Sequence, residues 1–252
     1  MNRIELFGCP ADVATMDETV EWIERRIEKR QFTQHVVINV AKLVNAQSDA
    51  QLADSVRACD IVNIDGMGVV WGARMLGFAV SERVAGVDLF GRLLSLASTR
   101  DFPVFLLGAT QKVVEEVARR SVRTYPALNI AGFHNGYFWD NEQAVVQRIR
   151  DSGAKLLFVA ITSPKKENFI NRWRDELGVD FVMGVGGTFD VVAGKVKRAP
   201  QWMQRMGLEW LFRVAQEPRR MWKRYLVTNS RFAVMLVQAW LQRRFGRVEE
   251  VS

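Results

Sequence analysis

The sequence predicts an α/β protein: a mostly parallel sheet covered by helices on both faces, followed by a basic helical appendage. Three observations predict it. Short, continuously apolar runs recur along the chain as far as Met183, segments with helical spacing separate them, and beyond Gly194 the composition turns basic and rich in tryptophan. Unbroken apolar runs, as opposed to alternating ones, belong to strands buried on both faces, which is the condition of a parallel sheet between two helical layers.

The elements follow in order. Ile4 to Val13, broken by Gly8 and Pro10, reads as a small hairpin at the sheet edge. Val36 to Val40 is a β-rich run, and Leu43 to Val56 places Leu43, Ala46, Ala50, Ala53 and Val56 at helical spacing. Ile61 to Ile64 is a second strand, followed by helices over Val69 to Leu76 and through Leu89, Leu93 and Leu94. Val104 to Leu107 is a third strand, ended by Gly108, and its helix starts near Thr110 with Val113, Val114, Val117 and Ala118 on one face. Leu128 to Ala131 reads as a strand and Glu142 to Ile149 as a helix. Leu156 to Ala160 is the most apolar strand, with a helix from Pro164 to about Leu177, and Phe181 to Met183 is the last strand. The length would permit a closed (β/α)₈ barrel, but six such runs favour an open sheet.

Composition narrows the class. An apolar fraction of 48% and a charged fraction of 25% are ordinary globular values and exclude a disordered chain. Cys9 and Cys59 cannot make a disulfide framework, and His35 and His134 leave little for a His-based metal centre. No apolar run at the start suits a signal peptide and none is long enough to span a bilayer, so the expectation is a reduced, cytoplasmic protein. The net charge of +7 is unevenly placed: from Gly194 to Arg247 there are 13 Lys and Arg against 2 acids, with four of the 8 tryptophans. This divides the chain into a near-neutral body, 1–194, and a basic appendage, 195–252. Such a field attracts anionic lipid, nucleic acid or phosphorylated substrates, or is simply a solvated surface.

In an open parallel sheet, ligands bind at the carboxyl ends of the strands. Four loops fall there. In Asn63-Ile64-Asp65-Gly66-Met67-Gly68 an acid directly follows a buried strand, either as a general base at the crevice or as a cap of the helix near Met67. In Ser163-Pro164-Lys165-Lys166-Glu167 two lysines occupy a first helical turn, where they oppose the helix dipole; an anion at that terminus or plain solvation would each account for them. Gly184-Val185-Gly186-Gly187 follows the last strand, where successive N–H groups can cradle an anion or the turn simply packs tightly. Arg83 and Asp88 flank Gly86, with Arg83 a candidate for substrate phosphate and Asp88 for a helix cap. There is no D-x-D pair, P-loop, G-x-S-x-G or H-E-x-x-H. In the appendage Pro218 reads as the start of a new helix, on which Arg220, Arg224 and Arg231 share a face. The closing helix, with Phe232, Leu236 and Trp240, either lies in a membrane interface, the favoured reading, or packs as an ordinary tertiary helix with tryptophan in the core.

These stretches also carry a resemblance. NIDGMGVVW (63–71), ERVAGVDL (82–89), VFLLG (104–108), Gly136-Tyr137-Phe138, SPKKE (163–167), GVGGTFD (184–190), RAPQWMQ (198–204) and GLEWLFRVAQEPRRMWKRYL (207–226) together resemble the bacterial WecG/TagA/CpsF glycosyltransferases. The resemblance implies a Rossmann-like body with a C-terminal appendage that recruits the enzyme to the cytoplasmic membrane face and completes the site. It implies metal-independent, inverting transfer from a UDP-sugar to a lipid-diphosphate-linked sugar, with no cofactor. By motif position Asp65 is the general base, Asn39 the conserved asparagine after the first body strand, and Arg213 and Arg220 hold diphosphate. Three positions depart from the family pattern. Val37 stands where threonine is common, Lys166 replaces a neutral amide, and Lys223 replaces a third arginine, for which the adjacent Arg224 can substitute. Substrate contacts are therefore expected from Asn39, Arg83, Lys166, Gly186, Gly187, Arg213, Arg220, Lys223 and Arg224. The donor range is a hexose or N-acetylhexosamine, and homo-oligomerisation stays open. A non-catalytic phosphate- or nucleic-acid-binding protein is the rival, but nucleic-acid binding would leave Asp65 and the strand-end glycines unexplained.

Overall fold

The protein is described by a computed structural model covering residues 2–245. In chain order, β1 (Asn2–Leu6) and β2 (Cys9–Val13) form the expected hairpin, followed by α1 (Met16–Glu28) and β3 (Thr33–Ile38). Next come α2 (Val40–Ala46), α3 (Ala50–Arg57), β4 (Ile61–Ile64), α4 (Met67–Met75), α5 (Gly86–Arg100), β5 (Val104–Gly108), α6 (Gln111–Thr124) and β6 (Ile130–His134). A 3₁₀ turn at Trp139–Asn141 leads to α7 (Glu142–Asp151), β7 (Leu156–Ala160), α8 (Lys165–Trp173), β8 (Phe181–Gly184) and α9 (Thr188–Val192). The chain past Gly194 adds α10 (Gln201–Arg205), α11 (Glu209–Gln216) and the long α12 (Pro218–Phe245).

All eight strands join one sheet in the order β1-β2-β4-β3-β8-β7-β5-β6, parallel except for the β1–β2 hairpin. This is the open Rossmann-like sheet expected. Alternate residues of each strand face opposite layers. Val104, Leu106, Phe158, Phe181 and Met183 pack under α1, α5, α6 and α9. On the other face, Phe105, Leu107, Leu157 and Val182 pack under α7 and α8, while Val36, Ile38, Val62 and Ile64 pack under α2, α3, α4 and α12.

Local chemistry sets several boundaries. The span read as one helix, Leu43 to Val56, is two, because the Asp49 side chain accepts the Leu52 N–H and starts α3 afresh. The periodic reading assigns nothing to 16–28, where α1 begins on a capping box of Thr15 and Glu18. β3 starts three residues earlier than its apolar run, since Thr33, Gln34 and His35 are buried polar residues. His35 is held by the Asn63 side chain at 2.9 Å and Gln34 by Asn171 at 2.8 Å, which is how polar side chains survive there.

The appendage is anchored to the body. Phe232 is buried against Phe7, edge to face at 5.7 Å, and a side chain at Gly72 would meet the Phe232 ring at 3.0 Å. Met235, Leu236, Ala239 and Trp240 pack on the same cluster. The face expected in a membrane interface is thus turned inward. Its apolar area is consumed by α2 and α4, so it does not face a bilayer. The opposite side of α12 also carries exposed apolar residues: Leu226, Val227, Val234, Val237, Leu241 and Phe245. The periodicity of one face hid that of the other.

Candidate functional site

The sheet order creates a switch point between β3 and β8. β3 and β8 are neighbours, but β3 leads into α2 on one face and β8 into α9 on the other. Their carboxyl-end loops, Asn39 on one and the 184–187 glycines on the other, therefore diverge, which is where a sheet of this kind offers a ligand crevice. Asp65, at the end of the next strand, stands at its edge. The Asp65 N–H donates to the Ile38 carbonyl at 2.8 Å, which fastens this loop to β3. Gly66 follows with φ +121°, a value that side chains resist, and packs on the Asn39 side chain. Asn39 itself caps α2, accepting the Lys42 N–H at 3.0 Å.

Asp65 does not cap the helix near Met67. α4 starts at Gly66 with no side-chain cap, whereas the Asp65 carboxylate accepts the N–H of Gly86, the first residue of α5. A side chain at Gly86 would meet Asp65 Oδ2, Met183 Cε and Val37 Cγ1, each at 3.8 Å. The departure at Val37 thus puts an apolar side chain beside the Gly86 position that the acid also faces. Burial pushes the Asp65 carboxyl up to about 6, against the opposing pull of Arg83 and of the Gly86 N–H, with Glu209 and Asp88 adding to the rise. A carboxylate with raised proton affinity at a strand end is suited to taking a proton from a hydroxyl near neutral pH.

The appendage closes over this edge. Arg83 Nη1 donates to Glu209 on α11 at 2.8 Å and Nη2 to Gln204 at 3.3 Å. Arg198 holds Asp88 through both terminal nitrogens, Nη2 at 2.7 Å, and its Nε lies 3.7 Å from Glu209. Gly207, with φ +65°, lets the α10–α11 turn press onto Met67 and Trp71, which any side chain there would strike at under 3 Å. Arg213 reaches the glycine loop: its Nη2 lies 3.2 Å from where a Gly187 side chain would begin. Tyr225 stacks obliquely on Trp210 at 5.9 Å, and burial raises its hydroxyl pKa while Arg224 and Arg213 oppose the rise.

The predicted residues therefore divide. Asp65, Asn39, Arg83, Gly186, Gly187 and Arg213 gather on this side of the sheet, while Lys223 and Arg224 are exposed on the first turns of α12, Arg224 acting on Tyr225. Arg220 lies on α12, but its side chain is outside the described residues, as is the end of the appendage, 246–252. Lys166 takes a different place. It is buried, its methylenes cover Gly184, and its ammonium is 3.4 Å from Glu167, which also binds Lys42 at 2.9 Å. Burial and the adjacent Lys42 both lower the Lys166 pKa. Its neighbour Lys165 is exposed and sits over the Trp139 ring. Sequence reasoning missed Glu209 and Arg198. A signal existed for the first: Glu209 is one of only two acids between Gly194 and Arg247. Among the described residues no three His, Cys, Asp or Glu side chains converge as metal ligands.

A family model described as "Glycosyl transferase WecG/TagA/CpsF family" matches residues 4–246. A Bacillus subtilis (strain 168) protein named N-acetylglucosaminyldiphosphoundecaprenol N-acetyl-beta-D-mannosaminyltransferase is 36% identical over 181 residues, covering 72% of this chain and 70% of that protein. With a match over nearly its whole length and a relative of this identity, the chain belongs to the WecG/TagA/CpsF family of glycosyltransferases.

Proposed function

We propose that the protein moves a hexose or N-acetylhexosamine-type sugar from a UDP-sugar to a polyprenyl-diphosphate-linked sugar, with inversion, in the assembly of a cell-surface glycan or exopolysaccharide. The observation that carries this reading is Asp65. It is a carboxylate of raised proton affinity at the edge of the switch-point crevice, opposite a glycine loop overlaid by Arg213. The relative's name adds an N-acetylhexosamine as the group moved and an undecaprenyl-diphosphate sugar as its acceptor.

In the proposed step Asp65 takes the proton of the acceptor hydroxyl as that oxygen attacks the anomeric carbon. One C–O bond forms, the bond from the sugar to UDP breaks, and UDP departs with its electron pair. Arg213 and the N–H groups of the 184–187 loop offset the charge developing on the diphosphate, the task that donors fixed in advance perform well. Arg220, Lys223 and Arg224 extend this positive rim toward the acceptor diphosphate, and Asn39 and Arg83 position the sugars. Domain roles follow: 1–194 carries the crevice and base, and 195–252 supplies cations and the membrane contact.

The experiment that tests the reading is UDP release by the purified protein across a panel of UDP-sugars, with and without a polyprenyl-diphosphate-sugar acceptor. Acceptor-dependent release is expected, and chelation with EDTA should leave most of it intact. Release that vanishes with EDTA and returns with Mg²⁺ or Mn²⁺ would transfer the charge-offsetting role to a metal. The pH dependence is fixed in sign. Asp65 works as the carboxylate, so kcat/KM should rise with pH through about 6 and fall about tenfold per unit below it. A profile flat from pH 5 to 7 would exclude Asp65 as the base.

We further propose that the outward face of α12, with Val234, Val237 and Leu241, rests on the cytoplasmic face of the membrane beside the basic first turns of the helix. No helix among the described residues is long and apolar enough to cross a bilayer. Val234→Asp with Val237→Asp should weaken sedimentation with anionic liposomes by roughly tenfold or more, two apolar anchors being lost. The thermal midpoint should hardly move, because both side chains are exposed. Undiminished sedimentation would assign membrane contact elsewhere.

A further inference from the structure

Five ionisable side chains meet at the mouth of the crevice, and they come from both parts of the chain. Asp65, Arg83 and Asp88 belong to the body, Arg198 and Glu209 to the appendage. Glu209 is the link: one oxygen is 2.8 Å from Arg83 and the other 3.7 Å from Arg198, which is forked onto Asp88. Within this group two guanidiniums stand against three carboxylates, and among the described residues no ion pair reaches Asp65, which accepts the Gly86 N–H.

We propose that Glu209 is a positioning residue: by holding Arg83 from the appendage side, it keeps that guanidinium from closing on Asp65 as an ion pair. The base stays free to accept a proton only while the appendage is seated. This inference rests on the reading of Asp65 as the base.

The physical argument is competition for one guanidinium. Arginine and a neighbouring carboxylate pair through a planar fork, and such pairing lowers a carboxyl pKa by about 1–3 units. Arg83 is mostly buried and has its two terminal nitrogens committed to Glu209 and Gln204, both beyond Gly194. Without Glu209 two acids are left within its field, Asp88, already forked by Arg198, and Asp65, whose proton affinity it already opposes. Among the described residues the groups that face Asp65 come from several elements: Arg83 precedes α5, Gly86 and Asp88 lie on α5, Arg198 precedes α10, Glu209 is on α11 and Tyr225 on α12, with Val37 and Met183 as apolar neighbours of the Gly86 position.

The test reads the proton directly. Carbon-13 NMR of aspartate carboxyls in the full chain, with Asp65→Asn to assign the signal, should place the Asp65 midpoint near 6. Glu209→Gln should lower it by about one unit or more. Arg83→Gln should raise the midpoint more in the Glu209→Gln background than in the otherwise unaltered protein, where Glu209 already holds that guanidinium away. Glu209→Asp keeps the charge on a shorter reach, should give an intermediate midpoint, and serves if the amide variant does not fold. A midpoint unmoved in the folded variants overturns the proposal. So does an equal rise from Arg83→Gln in the two backgrounds, because the fall would then be the loss of one charge alone. A purely structural role would lower the thermal midpoint and leave the titration unchanged. In turnover, Glu209→Gln should cost roughly tenfold in kcat, part of the 10²–10⁴ that a general base contributes, with the acid limb moving to lower pH. If the NMR midpoints shift as expected but the unaltered protein releases UDP from no UDP-sugar, the transfer reading fails while the positioning role of Glu209 stands.

Discussion

Asp65→Asn should lower sugar transfer by roughly 10²–10⁴-fold, the range that follows loss of a general base. The amide keeps the shape of the side chain and can still accept the Gly86 N–H, so α5 should start where it does now. Donor binding should persist, since the diphosphate contacts proposed for Arg213 and the glycine loop lie on the other side of the crevice. The loss should therefore appear in kcat, with KM for the UDP-sugar little changed. Removing a carboxylate from a half-buried site that penalises charge should also leave the thermal midpoint equal or higher. The measurement is steady-state UDP release beside a melt of the same sample. Near-normal kcat in a folded variant would remove Asp65 from the reaction.

The second large effect is on stability. Phe232→Ala should cost about 3–5 kcal/mol, the usual range for truncating a buried phenylalanine, and lower Tm by roughly 10 °C in a protein of this size. Phe232 sits between Phe7 of the hairpin turn and Gly72 of α4, so its loss opens a cavity where hairpin, α4 and α12 meet. Cutting the chain before Arg231 should do more, exposing the apolar surfaces of α2 and α4 that Phe232, Met235 and Leu236 now cover. Such a truncation is not a clean probe of membrane binding, and the Val234 and Val237 substitutions are the ones that separate docking from adhesion. An unchanged melt for Phe232→Ala would mean that α12 is not seated on the body in solution.

Much of the architecture was legible because burial leaves a plain mark. Leu156 to Ala160 is buried on both faces, and its apolar run coincides with β7. The hairpin at Gly8 and the helix start at Pro218 were legible from turn and cap chemistry. Where polar residues are buried the mark fails. Gln34 and His35 find partners on α8 and β4, distant in sequence, so the start of β3 carries no apolar signal. β6 lies at the sheet edge and is only half-buried, so its bounds slid from 128–131 to 130–134. Asp65 was legible from its place after a buried strand. Its contact with Gly86 was not, because twenty-one positions separate them in sequence and only the fold of the 66–85 segment brings them together. Glu209 acts through Arg83, 126 positions away, and no local pattern encodes such a contact. The orientation of α12 was ambiguous in principle, since Phe232 and Leu236 on one side and Val234 and Val237 on the other give it two apolar stripes.

α12 has a consequence for how the protein measures its surroundings. From Tyr225 to Phe245 the helix rises about 30 Å, and Phe232, Leu236 and Trp240 fix about 12 Å of its middle to the body. It is a strut, not a tether. Any surface against which its outer stripe rests meets the crevice at one height and one tilt. An acceptor whose hydroxyl projects farther or less far from that surface would fail to reach Asp65, whatever its sugar. Selection among surface-bound acceptors would then be partly a matter of length, read by a rigid gauge before any hydrogen bond to the sugar is made.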